Sequence, residues 1–217
     1  MKSSIGRKIL MALSGFFLLF FLVQHLAINM ISVFSEEAFN SVSHFMGYNF
    51  FVQVLLQPVL MFGIIFHLGM GMYLEIKNRK AKGQKNANNN AAASSTWMSR
   101  NMVITGIMIM LFLALHLLDF WAFEMNYKYI EMLPEDPNRY WHEMHLSFAP
   151  IGKLIVFVVS FIFLSLHLMH GFQSAFQSVG FNHNKYTPLL KKLGYAYAIL
   201  IPALYIVVAA FHHFTQH

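Results

Sequence analysis

The chain has 217 residues, of which 57% are hydrophobic and only 11% are charged. A water-soluble domain needs about a quarter charged residues to cover its surface, so this composition excludes a soluble protein and indicates one embedded in lipid. The chain contains no cysteine, which excludes disulfides, thiolate zinc sites and iron–sulfur clusters ligated by this chain.

Five apolar runs are each long enough to cross a bilayer, for which about 20 residues are needed. They lie at residues 8–32, 50–76, 99–123, 150–175 and 193–214 and are numbered I to V here. Run I is too long for the apolar part of a signal peptide and no small-residue cleavage site follows it, so we expect it to be retained. The sequence therefore predicts an all-α bundle of five transmembrane helices forming a single domain over residues 1–217.

The segments between the runs differ in character. Residues 33–49 are mildly amphipathic and predict a short helix lying along the membrane interface. Residues 77–100 are basic and rich in Asn, Ala and Ser, which indicates a flexible loop. Residues 124–149 are acidic and aromatic and contain two prolines, so this stretch is expected to be a polar connection.

Positive charge is concentrated on one side of the predicted bundle. With the N-terminus in the cytoplasm, all but three of the 15 Lys and Arg residues lie inside, and Glu75 is the single inner residue among the nine acids. The positive-inside rule therefore predicts a cytoplasmic N-terminus. The net charge of +6 is explained by this topology, not by nucleic-acid binding, and the basic face would suit anionic lipid or an acidic partner protein.

Histidine is abundant, with 12 residues, and some of them lie within the apolar runs. Because an ionisable side chain in hydrocarbon is costly, each of these indicates a functional site. Histidines in loops and at helix ends, including His145 and His212, are expected to be ordinary solvated or interfacial residues. The histidines inside the runs are His25, His67, His116, His167 and His170.

Depth along the helices arranges four of these histidines in two pairs. At a rise of about 1.5 Å per residue, His25 and His116 fall in the outer halves of helices I and III, whereas His67 and His167 fall in the inner halves of II and IV. Two imidazoles that face each other from different helices are what bis-histidine haem ligation requires. Zinc would need three or four ligands gathered together, so the pattern predicts two haems between helices I to IV.

The residues around the four histidines repeat along the chain. Ser14-Gly15 and Thr105-Gly106 each precede a histidine by nine intervening residues, and His67 and His167 are each followed by Leu-x-x-Gly. A glycine four residues on lies on the same helix face as its histidine, where it leaves room for a flat ring; Gly15 and Gly106 are expected nearer the ring margin. The repeat favours His167 over His170 as the ligand, because Met70 occupies the position equivalent to His170.

Further candidates are suggested by depth and chemistry alone. Haem propionates need cations or hydroxyl donors, and quinone carbonyls need donors near the outer pair. The candidates for the haem surround and propionates are Ser14, Gly15, Gly71, Trp97, Arg100, Thr105, Gly106, His170 and Gly171. The candidates for a quinone site are Gln24, Asn29, His44 and Asp119.

The order of the four histidines, with Ser/Thr-Gly-x9-His on helices I and III and His167-x3-Gly171 followed by Gly180, resembles a known family. It is similar to the dihaem cytochrome b membrane anchors of succinate dehydrogenase and fumarate reductase (respiratory complex II). The chain resembles the single-subunit, five-helix type of bacteria that use menaquinone, and the resemblance covers essentially the whole chain. The resemblance implies two haems b, a distal one on His25 and His116 and a proximal one on His67 and His167, in a protein of the bacterial inner membrane.

The resemblance also implies a role and partners. The chain would relay electrons between an iron–sulfur subunit and menaquinone, and the succinate or fumarate site would lie on a flavoprotein subunit with covalent FAD. Both partners would dock on the cytoplasmic face, and the whole complex could form a dimer or trimer. In some members a glutamate two residues before the helix IV ligand serves a proton path, but Ser165 stands there in this chain, so that path is not implied.

Two alternatives remain open from the sequence. One is the cytochrome b anchor of another respiratory enzyme, such as a hydrogenase or a formate dehydrogenase, whose catalytic partners usually lie outside. The other is a small proton-coupled transporter that uses its histidines without haem. The basic inner face and the distribution of histidines favour complex II over the first, and the second predicts a chain without haem.

Overall fold

A computed structural model describes residues 3–81 and 101–215. Within these ranges the chain forms seven helices and no strand. In chain order, α1 is Ser4–Phe34, α2 is Glu36–Tyr48, α3 is a π-helical turn Val52–Leu56 that continues into Gln57–Ala81, α4 runs from Met102–His116 through Leu117–Ala122 and Phe123–Met125 to Asn126–Ile130, α5 is Tyr140–Phe148, α6 is Ile151–Ser178 and α7 is Thr187–Phe214. The predicted all-α fold is confirmed.

Five of these helices, α1, α3, α4, α6 and α7, are long and apolar enough to cross a membrane. They correspond to the predicted helices I to V, and they make the chain a multi-pass membrane protein. Large apolar side chains cover their outer surfaces; Phe20 is 74% exposed and Phe62 is 69% exposed. Such surfaces are costly in water and favourable in hydrocarbon, so the exposed faces are those that contact lipid.

Helix α4 is longer than its apolar run predicts. It continues past residue 123 to Ile130 through two π-helical stretches, the first of which begins at Leu117, directly after His116. Helix α3 likewise extends to Ala81, so the start of the predicted loop at residues 77–81 is helical instead. Apolar length marks the part of a helix inside the membrane, and polar residues that favour helix extend it beyond that part. The rest of the predicted loop, at residues 82–100, lies outside the described residues.

Two short helices lie at the end of the bundle where α1 and α4 finish. The segment 33–49 forms α2 as predicted, and the Ser35 hydroxyl caps it by accepting a hydrogen bond from the Ala38 amide at 3.1 Å. Helix α5 was not expected, because its nine residues lie in the stretch that was taken for a polar connection. The Trp141 amide donates to the Asn40 side-chain oxygen at 2.8 Å, which joins α5 to α2. We call this the α2–α5 end.

Buried ion pairs fix the connection between α4 and α5 against α2. The Arg139 guanidinium binds Glu143 at 2.8 Å and also binds Glu124. Lys128 pairs with Glu124 and donates to the Gly47 carbonyl at 2.6 Å. Both cations have side chains that are nearly fully buried. These contacts order a segment of the chain whose composition resembled a loop.

Helix α6 is central and packs against α1, α4 and α7. Buried apolar side chains of α6, α7 and α5, among them Phe157, Val208 and Phe148, form a core near the α2–α5 end. Two tyrosines of α7 also bind the backbone of α1: the Tyr197 hydroxyl donates to Leu19 O at 2.6 Å and the Tyr205 hydroxyl to Leu22 O at 2.8 Å. Helix α7 therefore holds α1 in position beside α6.

Candidate haem-binding sites

The outer histidines are brought together between α1 and α4. The ring centroids of His25 and His116 are 5.8 Å apart and the ring planes are almost perpendicular, at 88°. Two imidazoles that ligate one metal from opposite sides, with metal–nitrogen bonds of roughly 2 Å, have centroids roughly 6 Å apart. The Nδ1 atom of His116 is also buried without a hydrogen-bond partner among the described residues. The pair therefore has the separation that a bis-histidine metal centre needs, and one ring nitrogen of His116 is uncommitted.

The surroundings of this outer pair are apolar and aromatic. Phe21 stacks on His25 at 5.3 Å between ring centroids, and Phe120 lies 5.0 Å from His116. Tyr205 also lies 6.0 Å from His25. Surroundings of this kind exclude water and lower the local dielectric, which is one way in which proteins set the potential of a redox centre.

The second pair, His67 of α3 and His167 of α6, lies nearer the N-terminal end of α1. His67 is close enough to His167 to act on it electrostatically. Each ring is held by a hydroxyl on a neighbouring helix: the Nδ1 atom of His67 is 3.0 Å from Ser14 Oγ, and that of His167 is 3.2 Å from Thr105 Oγ1. No third histidine or carboxylate joins either pair within residues 3–81 and 101–215.

The hydroxyl contacts bear on which ring nitrogen carries the proton. Ser14 Oγ lies 2.9 Å from Met11 O and Thr105 Oγ1 lies 2.9 Å from Met102 O, as donor to each carbonyl. A hydroxyl has only one hydrogen, so while it donates to its carbonyl, the Nδ1–H group of the imidazole donates to the hydroxyl oxygen. The Nε2 atoms then keep their lone pairs, as a metal ligand requires.

The glycines of the repeat take part in the same contacts between helices. A Cβ atom on Gly15 would lie 3.8 Å from His67 Cε1, and one on Gly106 would lie 3.7 Å from His167 Cε1. Ser14-Gly15 of α1 thus faces His67 of α3, and Thr105-Gly106 of α4 faces His167 of α6. The sequence had instead suggested that each glycine lies beside the haem ligated by the histidine of its own helix. Similarly, a Cβ atom on Gly71 would lie 3.5 Å from the Met11 methyl carbon, and one on Gly171 would lie 3.4 Å from the Met102 methyl carbon.

The other candidates for the haem surround do not contact a histidine pair through a hydrogen bond among the described residues. His170 is half-buried in α6 and acts electrostatically on His167. Trp97 and Arg100 lie outside the described residues. Gly180 ends α6 with a φ of 95°, in the left-handed region that glycine adopts without strain; its place in the motif therefore reflects the end of the helix.

The four quinone candidates do not form one cluster. Asn29 donates to the backbone oxygen of His25 at 2.7 Å, and Asp119 pairs with Lys153 at 2.9 Å, so these two flank the outer histidines. His44 instead binds Glu135 at 2.5 Å in α2, and Gln24 is exposed on the surface of α1.

The expectation that His145 and His212 are solvated or interfacial was wrong. His212 is 0% exposed and His145 is 7% exposed, and their Nδ1 atoms are 2.6 Å apart. Helical periodicity could have found His212, because it lies four residues after Val208 and seven after Tyr205, on the buried face of α7. Helix α7 therefore contributes a buried histidine as well as packing contacts.

Five helices that can cross a membrane, with two pairs of partly buried histidines, define a class: multi-pass membrane proteins that carry ionisable side chains inside the helix bundle, where such side chains mark functional sites. The chain is similar to the succinate dehydrogenase cytochrome b558 subunit of Bacillus subtilis (strain 168), with 30% identity over 96 residues. The match covers 44% of this chain and 45% of that relative, so the chain spans less than half the length of the protein it matches. No family model matches the chain. No solved structure matches it either.

Proposed function

We propose that this chain is the membrane-anchor cytochrome b subunit of a succinate:quinone oxidoreductase, acting as a succinate dehydrogenase or fumarate reductase. The observation that carries the proposal is the facing geometry of His25 and His116, at 5.8 Å between ring centroids in an aromatic surround. The partial similarity to a succinate dehydrogenase cytochrome b subunit supports the choice of enzyme.

The proposed ligands are one histidine from each of four helices. His25 and His116 hold the distal haem b, and His67 and His167 hold the proximal haem b. The haems, when bound, supply one-electron transfer. The chain's own contribution is to orient the imidazoles, through the Ser14 and Thr105 hydroxyls at the proximal pair, and to keep water away from the distal pair.

The asymmetry of charge supports the proposed orientation. Lys77, Arg79 and Lys80 lie at the end of α3, and Lys191 and Lys192 lie in the first turns of α7, all at the end of the bundle opposite to the α2–α5 end. A cytoplasmic location of this basic end satisfies the positive-inside rule. It also provides a docking face for the flavoprotein and iron–sulfur subunits, beside the proximal pair.

The chain would carry electrons only, because the succinate or fumarate site belongs to the flavoprotein partner. The proximal and distal pairs would each hold a haem, and the bound haems would supply electron transfer between the iron–sulfur subunit and menaquinone at the α2–α5 end. Asn29 and the Asp119–Lys153 ion pair are the preferred quinone contacts, because they flank the distal histidines. His44 and Gln24 remain weaker candidates.

A reduced-minus-oxidised visible spectrum of the purified chain tests the proposal. We expect a b-type band and two haems per chain, and absence of the band would overturn the haem assignment in favour of a transporter. Co-purification with a covalent flavoprotein from the native membrane then separates complex II from the anchors of hydrogenases and formate dehydrogenases. A partner hydrogenase or formate dehydrogenase in its place would overturn the choice of enzyme.

A further inference from the structure

A third pair of histidines lies at the α2–α5 end, apart from the two proposed haem-binding pairs. The Nδ1 atoms of His212 and His145 are 2.6 Å apart, which is within hydrogen-bonding distance and shorter than a usual hydrogen bond from a nitrogen. Trp141 covers His145, with ring centroids 3.7 Å apart, and Phe148 stacks on His212 at 6.5 Å. Two imidazoles buried in direct contact have no role in the haem ligation proposed above.

The remaining ring nitrogen of each imidazole contacts a hydroxyl. His145 Nε2 is 3.1 Å from Thr215 Oγ1, and His212 Nε2 is 2.7 Å from Ser32 Oγ. Thr215 is exposed at the end of α7, whereas Ser32 is 1% exposed in α1. These four side chains form an unbroken hydrogen-bonded chain from the protein surface to the buried face of α1, which we call the Thr215–Ser32 chain.

Both ends of the Thr215–Ser32 chain have a second hydrogen-bond acceptor. Ser32 Oγ is 2.6 Å from Asn29 O, and Thr215 Oγ1 is 2.6 Å from Phe211 O. Each hydroxyl has one hydrogen, so it donates either to its carbonyl or to its imidazole. When Ser32 donates to His212, every bond points towards Thr215, which donates to Phe211 O. When Thr215 donates to His145, every bond points the other way and Ser32 donates to Asn29 O.

In both arrangements the two imidazoles are neutral and every hydrogen bond of the Thr215–Ser32 chain is formed. Conversion of one into the other moves a single proton from one end to the other: one proton enters at Ser32, each bridging hydrogen shifts to the next heavy atom, and one proton leaves from Thr215. The charge and the number of hydrogens in the chain are the same before and after. The reverse passage restores the first arrangement.

The buried end of the chain points to the distal histidine pair. Ser32 lies seven residues after His25, which is two helical turns and places both on the same face of α1, about 10 Å apart along the axis. Asn29 lies between them, accepting from Ser32 through its carbonyl and donating to His25 O through its side chain. This is the region where the proposed function places the quinone.

We propose that Thr215, His145, His212 and Ser32 form a proton relay between water at the α2–α5 end and a quinone bound beside His25 and His116. This inference rests on the proposed function. Oxidation of a quinol releases two electrons and two protons; the electrons leave through the proposed haem relay. Each proton leaves in one passage along the Thr215–Ser32 chain, and the four side chains must turn back to the first arrangement before the second proton follows. Reduction of the quinone draws protons in by the same route.

The environment of the histidine pair suits a relay more than a proton store. Burial lowers the pKa of His145; the Trp141 backbone and Glu36, in the first turn of α2, oppose that shift, and His142 of α5 adds to it. From α7, His213 faces the same region and binds Phe148 O at 2.9 Å. An imidazole whose charged form is disfavoured by burial, such as that of His145, passes a proton on instead of retaining it.

The test uses the full chain with both haems and a soluble naphthoquinol as the reductant. His212→Gln and His145→Gln retain a hydrogen-bonding side chain but cannot pass a proton between two ring nitrogens. We expect the rate of haem reduction by the naphthoquinol to fall by at least about tenfold, a modest share of what proton transfer by a side chain typically contributes. Reduction by dithionite, which needs no proton release from the donor, should be unchanged.

His213→Gln is the matched control, because it removes the neighbouring histidine, which is not part of the Thr215–Ser32 chain. The relay is wrong if His212→Gln and His145→Gln are reduced by naphthoquinol at the rate of His213→Gln. If either variant fails to fold, Ser32→Ala and Thr215→Val leave the imidazole pair in place and interrupt its ends. Each of these should slow quinol-driven reduction as well, and normal rates in both would also exclude the relay.

A haem-independent measurement separates the relay from the proposed function. In ¹⁵N-histidine NMR spectra of the chain without haem, we expect one low-field proton coupled to the two Nδ1 atoms of the pair, lost in His212→Gln and retained in His213→Gln. Absence of this signal from the unsubstituted chain would overturn the relay whatever the haem content. Absence of a b-type spectrum would instead overturn the proposed function.

Discussion

The Nδ1 atom of His67 lies 3.0 Å from the hydroxyl oxygen of Ser14, on the neighbouring helix. While the Ser14 hydroxyl donates to Met11 O, the imidazole is the donor in this contact. The same arrangement recurs between His167 and Thr105 at 3.2 Å. Helices α1 and α4 thus orient the histidine rings of α3 and α6.

Removal of these hydroxyls should weaken the proximal haem selectively. We expect Ser14→Ala or Thr105→Val to lower haem affinity at that site by about 10- to 100-fold, the usual effect of losing a hydrogen bond to a metal-bound histidine. Haem transfer to apomyoglobin, followed in a redox-resolved spectrum, measures the loss at each site. Ser160→Ala is the control, because that buried serine donates only to Val156 O of its own helix. Equal loss from both sites would contradict the assignment.

Substitution of the histidines should remove the haems in pairs. We expect His25→Ala and His116→Ala to abolish the same one of the two haems, and His67→Ala and His167→Ala to abolish the other. His170→Ala should retain both haems, because the Thr105 hydroxyl contacts the ring of His167, which is the proposed ligand. Pyridine haemochrome assays give the haem content, and redox titration identifies which haem remains. A haem lost from His170→Ala but kept by His167→Ala would make His170 the ligand.

Two glycines of α3 should respond differently to the same change. A Cβ atom on Gly63 would lie 2.5 Å from Phe17 Cε1 of α1, whereas one on Gly69 would meet nothing within 4 Å. Gly63→Ala should therefore destabilise the α1–α3 contact by about 1–3 kcal/mol through overpacking, and Gly69→Ala should be neutral or stabilising. Thermal unfolding in detergent compares the two, and equal midpoints would show that the helices separate easily at Gly63.

Stability should fall as the pH is lowered through the ordinary range of histidine. Burial lowers the pKa of His145 from 6.5, so below that pH the unfolded chain binds a proton there that the folded chain does not. The free energy of unfolding contributed by this group is therefore present above pH 6.5 and decreases as the pH falls from there towards the folded pKa. Unfolding midpoints in detergent between about pH 7 and 5 measure the slope, which should be smaller in His145→Gln.

The exposed His183 provides the control for that measurement. It lies in the turn before α7, where its ring accepts a hydrogen bond from the Lys185 amide at 3.2 Å. His183→Asn keeps an acceptor in the turn and should retain the pH dependence of the unsubstituted chain. An unchanged slope in His145→Gln would show that the buried pair is not the source.

The five apolar spans could be predicted from the sequence because length and apolar content are local properties of each helix. The relative depths of His25, His67, His116 and His167 could be predicted as well, because depth follows from position along a helix. The partnership of Ser14 with His67 could not be derived in the same way, since it depends on how α1 and α3 are rotated against each other. Helix α5 was missed because its order comes from distant contacts such as that of Trp141 with Asn40.

The two hydroxyl–histidine contacts have a consequence for how a protein of this kind could arise. One joins α1 to α3 and the other joins α4 to α6, and in both cases the hydroxyl lies on the first helix of its half of the chain. The halves run in the same directions, so a rotation about an axis through the bundle relates them, without inversion. A helical hairpin with the features of Ser14, His25 and His67 would therefore generate all four histidines on dimerising. Such a homodimer would reproduce the two histidine pairs of this bundle without α7, so a tandem duplication of one hairpin would suffice to place all four histidines.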